Sequence, residues 1–252
     1  MQKISTICSS YKSGEKIEVL LNSFNSQNYP YKELIIVEGS EIDLEYNLLL
    51  KRTKDIENVK IFYLENSSIY ECLNYGIQKS SGEIINIMGD DDRYINKNLF
   101  NYIINNFSIS LDYIYGDTIY EKKNKKTRYY KSYSLESKLI DIGYMPSHTS
   151  LFLKKKIYNI IGGYNVKYKI AGDLDFFFKL KNYSLNYLYL NEVITVMSQG
   201  GTSNKSLKNI FFSNTEAFKI LKINNYKFIV LRLIVKLIFK LFLLVKFKYI
   251  KL

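Results

Sequence analysis

The feature that most constrains the fold is an alternation of short apolar runs with segments of helical periodicity in the N-terminal part of the chain. The apolar runs lie at residues 4–8, 34–37, 59–64 and 83–88, and helical spacing occurs at 15–27 and 69–77. Polar turns separate these segments, so the pattern predicts successive strand–helix–strand units. Such units build a parallel sheet with helices on both faces, and the predicted fold class is α/β.

Three polar loops follow predicted strands, at residues 9–11, 37–40 and 89–92. Because the carboxyl ends of parallel strands meet at one edge of a sheet, these loops are expected to converge there. Ligands of such sheets bind beyond the carboxyl ends of the strands. The sequence therefore predicts one ligand site built from these three loops.

An acidic triplet, Asp90, Asp91 and Asp92, directly follows the apolar run at 83–88. Adjacent carboxylates repel each other, and a cluster at the end of a buried strand needs a counter-charge. A divalent cation held by hard oxygen ligands supplies one. A solvated acidic turn or a helix N-cap is the alternative interpretation of the triplet taken alone.

The second half of the chain is less regular and predicts a mixed set of elements. Helices are expected at residues 99–107 and 173–180, strands at 112–115 and 149–153, and a hairpin at 119–133 that turns at 123–125. The last helix has acidic residues in its first turn, where the helix dipole favours them. This arrangement suits an enzyme that binds a nucleotide first and an acceptor second.

The composition is that of a globular protein, since 47% of the 252 residues are apolar. The net charge is +12, but residues 227–252 carry seven basic and no acidic side chains. The remaining 29 basic and 24 acidic residues give +5, which argues against a nucleic-acid binder. Cys8 and Cys72 lack metal-ligand spacing and are expected to be free thiols, and no secretion signal is evident. A cytoplasmic protein is expected.

The segment 227–252 is predicted to be a basic amphipathic helix beside a domain at residues 1–226. Its apolar stretches fall short of the roughly 20 residues needed to span a bilayer. Arg232, Lys236 and Lys240 recur at helical spacing and form one cationic stripe among broad apolar faces. This pattern predicts an interfacial helix on an anionic membrane. A helix packed on the enzyme body or in an oligomer is the alternative.

An ordered series of motifs extends over about residues 2–204. The motifs are the opening strand at 4–11, the second strand at 27–40, the helix at 69–77, Gly89-Asp90-Asp91-Asp92, Met145-Pro146-Ser147-His148, Gly162-Gly163-Tyr164, Ala171-Gly172-Asp173-Leu174-Asp175 and Gly200-Gly201-Thr202-Ser203. Together they resemble the inverting family 2 glycosyltransferases of GT-A fold, and more narrowly the bacterial polysaccharide-assembly branch. The resemblance implies a Rossmann-like nucleotide-binding half within a mixed central sheet.

The resemblance also implies a metal site at the acidic triplet. Asp92 would be the direct ligand of Mn²⁺ or Mg²⁺, which would bridge the two phosphates of the donor. Asp90 or Asp91 would hold the ribose or a metal-bound water, and Asp90 is a second candidate metal ligand.

The nucleotide base has three implied contacts. Tyr11 would stack on the base, with core packing as the alternative for this tyrosine, and Ser9 and Glu38 would lie beside the base. The family usually carries Asp at the position of Glu38, and the loop that follows is rearranged here. The identity of the base therefore stays open between UDP- and GDP-sugars.

Asp173 is the implied general base, because it takes the family position after Ala171 and Gly172. Asp175 is the competing carboxylate, and a helix N-cap is the structural alternative for Asp173. His148, the single histidine, would lie near the diphosphate and the acceptor, unless it is structural.

The expected activity is that of a metal-dependent inverting glycosyltransferase that adds one sugar to a lipid-linked saccharide in surface-polysaccharide synthesis. It would act peripherally on the inner face of the cell membrane. A nucleotidyltransferase is the first alternative, although residues 8–15 lack the Gly-rich basic loop of that class. A catalytically inactive, membrane-associated scaffold of the same fold is the second.

Overall fold

The computed structural model of the protein describes residues 2–199 and 207–248, and in the second range it describes the side chains of residues 208–243. The predicted turn at Gly200-Gly201-Thr202-Ser203 lies outside the described residues. The elements in chain order are β1 (Ile4–Ser10), α1 (Ile17–Asn25), β2 (Lys32–Glu38), α2 (Leu44–Thr53), β3 (Val59–Tyr63), α3 (Ile69–Lys79), β4 (Ile84–Met88), β5 (Arg93–Tyr94), α4 (Leu99–Asn106), β6 (Tyr113–Lys122), β7 (Lys125–Tyr130), β8 (Leu151–Lys154), α5 (Lys155–Ile161), α6 (Gly172–Lys181), β9 (Tyr187–Ser198), α7 (Leu207–Ile223) and α8 (Ile229–Lys248).

One mixed sheet organises the described part of the chain, with the strand order β3-β2-β1-β4-β8-β6-β9-β5 and β7 paired to β6. The first four strands in this order are parallel, whereas β8 runs antiparallel to both β4 and β6. Ser10 pairs with Glu38, and Cys8 pairs with Met88. This register brings the carboxyl ends of β1, β2 and β4 to one edge, as the loop pattern predicts.

Both faces of the parallel half are covered, which explains the continuous apolar runs. In β2, Ile35 and Val37 belong to the apolar cluster on one face, and Leu34 and Ile36 belong to the cluster on the other. All four side chains are fully buried. Burying each one stabilises the fold by roughly 1.5–3 kcal/mol relative to an exposed position.

Helix α3 illustrates how local sequence sets an element and its packing. Ser68 caps its N-terminus in a capping box with Glu71, each side chain bonding to the other residue's backbone N–H. Gly76 lies against the sheet, where an added Cβ would come within 2.5 Å of a methyl group of Ile7. A larger residue at position 76 would therefore push α3 away from β1.

The two C-terminal helices pack against the enzyme body. Ile220 and Leu221 of α7 are fully buried in the core. In α8, the Phe239 ring lies 5.1 Å from the ring of Tyr144 and 6.1 Å from that of Tyr133. Helix α8 therefore contacts the enzyme body, as the alternative of a packed helix predicts. The division into a separate unit at 227–252 and the binding of this segment to a membrane stay predictions.

The opposite side of α8 exposes a row of large apolar side chains. Leu231, Val235, Ile238 and Phe242 follow one another at helical spacing, and each is between 42% and 60% exposed. Within the described residues, no helix is long and apolar enough to cross a bilayer. We call these four residues the outer apolar face.

Two of the differences between the predicted and observed elements concern α2 and the start of β8. The sequence pattern gives no range for α2, because only Leu49 and Thr53 of this helix are buried and its apolar residues do not form one face. The strand expected at 149–153 begins at Leu151, after a short 3-10 turn at His148–Ser150. Ser150 Oγ donates to the carbonyl of Ser147 at 2.9 Å, and this local bond favours the turn over an extended strand.

Candidate active site

The ends of β1 and β2 are joined by the carboxylate of Glu38, which is fully buried. One of its oxygens accepts a hydrogen bond from the Ser10 hydroxyl, and the other accepts from the backbone N–H groups of Lys12 at 3.2 Å and Ser40 at 3.1 Å. These bonds fix the conformation of both loops. Contact between Glu38 and a nucleotide base stays a prediction.

A chain of hydroxyl groups connects this carboxylate to the acidic triplet. The Ser10 hydroxyl lies 2.7 Å from that of Ser13, and Ser13 Oγ donates to Asp90 Oδ2 at 2.5 Å. All three predicted loops are therefore linked by hydrogen bonds. The sequence gives no signal for Ser13, because nothing in its local pattern shows that it lies beneath Asp90.

Tyr11 lies at the surface of this edge, with 55% of the residue exposed. Its hydroxyl donates to Glu41 at 2.6 Å, and Glu41 also forms an ion pair with Lys12 at 2.8 Å. Ser9, half-buried in β1, pairs with Val37 of β2. The exposed ring of Tyr11 is accessible to a flat ligand, as the predicted stacking requires.

Asp92 is nearly inaccessible, with 3% of its surface exposed. Its carboxylate accepts hydrogen bonds from the backbone N–H of Ser198 at 3.0 Å and that of Gly89 at 3.2 Å. Burial raises the pKa of Asp92 to about 7, and the neighbouring charge of Asp91 adds to the rise. A Cβ added at Gly89 would lie 2.6 Å from the Asp92 carboxylate, so glycine is needed for this close approach.

The donor set fits a divalent cation in charge and chemistry. Among the described residues, no lysine or arginine forms an ion pair with Asp90, Asp91 or Asp92. No group of three or more His, Cys, Asp or Glu within those residues forms a complete metal cage. Mg²⁺-type ions are commonly held by one or two carboxylates together with substrate phosphates, and an incomplete carboxylate set suits that arrangement.

A second group of polar residues lies where α6 begins. The Oδ2 atom of Asp173 is 3.9 Å from the Nδ1 atom of His148, and both side chains are partly exposed. Burial raises the pKa of Asp173 and lowers that of His148, and in each case the partner's charge offsets part of the shift. The structure thus brings together the two residues that the sequence predicts on the acceptor side.

The backbone at Asp173 is held by two groups from distant parts of the chain. The Tyr70 hydroxyl donates to the carbonyl of Ile170 at 2.8 Å and accepts from the Asp173 N–H at 3.3 Å. An added Cβ at Gly172 would meet the Tyr70 ring at 2.6 Å. The glycine of the Ala-Gly-Asp motif is therefore required by the close packing of Tyr70.

Glu216 of α7 is the second group and is 9% exposed. Its carboxylate accepts from three consecutive backbone N–H groups, those of Lys169, Ile170 and Ala171, at 2.8–2.9 Å. Helix α7 thereby fixes the segment that leads into Asp173. No sequence pattern singles out Glu216, because its partners are backbone groups that only the fold brings to it.

Asp175 has different surroundings. It is 9% exposed, and its carboxylate lies 3.3 Å from Nζ of Lys179, one turn further along α6. Burial raises the pKa of Asp175, and Lys179 opposes the rise. Asp175 does not line the cavity described next, whereas Asp173 does.

A cavity of about 560 Å³ opens in front of Asp173 and His148. Its wall includes Tyr120, Met197 and residues of α7 and α8. Met197 directly precedes Ser198, whose N–H binds the carboxylate of Asp92. The wall of the cavity at Met197 therefore adjoins a residue that contacts the acidic triplet.

Three cationic side chains line this cavity, namely Arg128, Lys236 and Lys240. This location corrects the interpretation of the cationic stripe on α8. Lys236 and Lys240 face the cavity, and a guanidinium nitrogen of Arg232 donates to the carbonyl of Asp141 at 3.3 Å. The stripe therefore faces the enzyme body, while the apolar residues Leu231, Val235, Ile238 and Phe242 of α8 lie on the outside.

A parallel half joined to a mixed half, with an acidic triplet at the edge of the sheet and Asp173 in a cavity beside it, is the GT-A fold that solved glycosyltransferase structures share. The chain belongs to glycosyl transferase family 2, whose family model matches residues 5–177. The family and the fold confirm the predicted resemblance.

Two curated relatives show the range of sequence similarity. A PGL/p-HBAD biosynthesis glycosyltransferase of Mycobacterium tuberculosis is 24% identical over 190 residues, which cover 73% of this chain and 72% of the relative. The putative teichuronic acid biosynthesis glycosyltransferase TuaG of Bacillus subtilis is 28% identical over 92 residues, or 36% of each chain.

Solved structures share the fold at low sequence identity. TarS 1–349 of S. aureus in complex with UDP-GlcNAc has a TM-score of 0.67 at 17% identity, covering 86% of this chain and 64% of that one. The mannosyltransferase PcManGT of Pyrobaculum calidifontis, in complex with GDP-Man and Mn²⁺, has a TM-score of 0.66 at 13% identity, covering 90% and 65%. The match spans only 39% of a longer TarS chain.

Proposed function

We propose that the protein transfers one sugar from a nucleotide-diphosphate donor to a lipid-linked saccharide, with inversion at the anomeric carbon, in surface-polysaccharide synthesis. The observation that carries this proposal is the position of Asp173 in a cavity whose wall residue Met197 directly precedes Ser198, a hydrogen-bond partner of Asp92. A general base and a site for the leaving diphosphate would then lie next to each other. TuaG, named for teichuronic acid biosynthesis, supports the polysaccharide assignment.

The binding site of the nucleotide-sugar donor is assigned to the edge of the sheet at the carboxyl ends of β1, β2 and β4. Tyr11 would stack on the base, and Ser9 and Glu38 would line the base site. Solved structures of the same fold bind UDP-GlcNAc or GDP-Man, so a UDP- or GDP-sugar is the expected donor.

Asp92 and Asp90 would hold Mn²⁺ or Mg²⁺, with Asp91 beside the ribose or a metal-bound water. A divalent cation supplies the positive charge that stabilises a leaving diphosphate. The bound Mn²⁺ of the mannosyltransferase PcManGT supports this assignment. The buried carboxylate of Asp92 and the lack of ion pairs to the triplet among the described residues support it from within this chain.

The role of general base for the acceptor is assigned to Asp173. Its Oδ2 atom would take the proton of the acceptor hydroxyl while the hydroxyl oxygen forms a bond to the anomeric carbon. The bond from that carbon to the diphosphate breaks on the opposite face, and a single displacement inverts the configuration. Because burial raises the pKa of Asp173, this carboxylate is a better proton acceptor than an exposed aspartate. His148 would orient the carboxylate from 3.9 Å.

Association with the inner face of the cell membrane is assigned to α8. Its outer apolar face, Leu231, Val235, Ile238 and Phe242, would enter the interfacial region of the bilayer. The opening of the cavity would then lie close to a lipid-linked acceptor, since Ile234 and Leu237 both line the cavity and are about half exposed.

Transfer can be tested with a panel of UDP- and GDP-sugars, Mn²⁺ and short-chain lipid-linked saccharides. The expected product is a single glycoside whose anomeric configuration, read by NMR coupling constants, is opposite to that of the donor. Retention of configuration would contradict the mechanism. Release of sugar 1-phosphate instead of a nucleoside diphosphate would identify a nucleotidyltransferase, and absence of any metal-dependent turnover would favour an inactive scaffold.

A further inference from the structure

The cavity in front of Asp173 carries an excess of positive charge that the proposed proton transfer does not use. Arg128 of β7 and Lys236 and Lys240 of α8 line it, and Asp173 is the acidic residue in its wall. The residues outside the described ranges include no aspartate or glutamate, so their side chains cannot supply the missing anion. The excess of positive charge therefore belongs to the cavity itself.

The guanidinium of Arg128 lacks the hydrogen bonds that its burial requires. Its Nε and Nη2 atoms are shielded from solvent and have no partner among the described residues. The group lies between the rings of Tyr120 and Tyr130, at 5.2 and 5.0 Å from their centroids. The rings hold the guanidinium plane in place but accept none of its hydrogens, and leaving such donors unsatisfied is costly.

Lys236 and Lys240 also lack an ion-pair partner in the described part of the chain, although both are half-buried in the cavity wall. Neither Lys236 nor Lys240 forms an ion pair within the described residues, and burial lowers the pKa of both, that of Lys240 to about 7. The positive charges of Lys236 and Arg128 add to the shift at Lys240. Gly143 allows the approach of Lys236, whose Nζ would lie only 3.3 Å from an added Cβ. Like charges gathered in one cavity are typical of a site that binds an anion.

The rim of the cavity shows what kind of molecule carries that anion. Ile210, Val230, Ile234 and Leu237 line the cavity and are each between 43% and 63% exposed. A cationic interior with an apolar rim fits a phosphate ester attached to a hydrocarbon chain. A phosphorylated sugar without such a chain would leave the rim exposed to water.

We infer that Arg128, Lys236 and Lys240 form a binding subsite for the phosphate of a lipid-phosphate acceptor. The subsite deepens the proposed function and rests on it, since the lipid phosphate would belong to the acceptor. Asp173 lines the same cavity as both lysines. The accepting hydroxyl therefore belongs to the sugar closest to the phosphate, and the lipid chain leaves over the apolar rim.

Binding of geranyl phosphate to the full chain tests the subsite, with UDP and Mn²⁺ present in saturating amounts to fill the donor site. Calorimetry should show binding of geranyl phosphate and at least about tenfold weaker binding of geraniol. Arg128→Gln and Lys240→Met should each weaken the binding of geranyl phosphate by about tenfold or more. Lys222→Met, at an exposed lysine of α7 outside the cavity, is the matched control and should bind like the wild type.

Three results would overturn the subsite. Equal affinity for geranyl phosphate and geraniol would show that the phosphate is not recognised. Equal affinity for glucose 1-phosphate and geranyl phosphate would assign the phosphate to a sugar instead of a lipid. A loss of UDP affinity in Arg128→Gln or Lys240→Met would place these cations in the donor site. If geranyl phosphate binds as expected but no sugar is transferred, the proposed function fails and the subsite stands.

Discussion

The carboxylate of Asp173 lies 3.9 Å from the imidazole of His148 at the wall of the cavity. This separation is too long for a hydrogen bond, so the pair leaves the carboxylate oxygen accessible to a hydroxyl group. The loop before Asp173 is fixed by Tyr70 and Glu216, and the carboxylate is therefore pre-positioned although its direct contacts are few. Pre-positioning of this kind is what a general base needs.

Replacing Asp173 tests the general base. Asp173→Asn should lower the rate of transfer by about 10²–10⁴-fold and leave binding of nucleoside diphosphate and Mn²⁺ unchanged, because only the proton acceptor is lost. Single-turnover kinetics and calorimetry measure the two quantities. Asp175→Asn is the matched control, since Asp175 does not line the cavity, and its rate should stay closer to the wild type. A larger loss of rate in Asp175→Asn would identify that residue as the base.

Replacing Asp92 tests the metal site. Asp92→Asn removes a buried charge and places an amide next to the N–H groups of Ser198 and Gly89. The loss of one accepted bond and the relief of charge burial oppose each other, so the metal-free variant should stay folded. The rise in melting temperature that Mn²⁺ with UDP gives the wild type should largely disappear. Transfer should fall on the order of 10²–10³-fold, and an unchanged thermal response to Mn²⁺ would contradict the assignment.

Replacing Glu216 tests whether its hydrogen bonds to residues 169–171 position Asp173. Glu216→Gln keeps the shape but has one acceptor oxygen for three N–H groups, so at least one buried donor loses its partner at a cost of about 1–3 kcal/mol. We expect kcat to fall and the KM for the donor to stay constant, because the donor edge is not touched. A reduced melting temperature with normal kcat would show a purely structural role.

The pH dependence of stability tests the buried lysine. The folded pKa of Lys240 is about 7, whereas an unfolded lysine titrates near 10.4. Between these values the unfolded state binds more protons, so this residue makes stability rise with pH from about 7 upwards. Below pH 7 the cost of its buried charge is fully present.

Lys240→Met should therefore raise the melting temperature most at pH 6, with a gain that shrinks towards pH 9. The other ionisable groups of the cavity, namely Asp173, His148, Arg128, Lys236, Tyr120 and Tyr130, are present in both proteins, so the comparison isolates position 240. Thermal denaturation at several pH values measures the effect. A gain that is constant with pH would mean that Lys240 titrates normally.

Replacing the outer apolar face tests membrane association. The double variant Ile238→Gln/Phe242→Gln removes two large exposed apolar groups from α8 without touching the cavity. Flotation with anionic liposomes should fall strongly, while UDP binding stays normal. Ile109→Gln, at an apolar residue 96% exposed outside the helices, is the control and should float like the wild type. Normal flotation of the double variant would remove α8 as the membrane contact.

The sequence by itself determines the strand–helix alternation, the parallel half of the sheet and the edge where loops converge. These features depend on local periodicity and on buried apolar runs such as residues 34–37, which are readable without knowledge of distant contacts. It also places Asp92 at the end of a strand. Asp173 follows from the resemblance to the family.

Only the tertiary structure decides which residues share a cavity and which way a helix faces. Asp173 and Asp175 are indistinguishable in the sequence pattern, but α6 turns one towards the cavity and the other towards Lys179. The sequence likewise does not determine whether the cationic stripe of α8 faces the solvent or the enzyme body. Lys236 and Lys240 then line the cavity, because contacts between residues far apart in the chain depend on the whole packed core, which local periodicity does not encode.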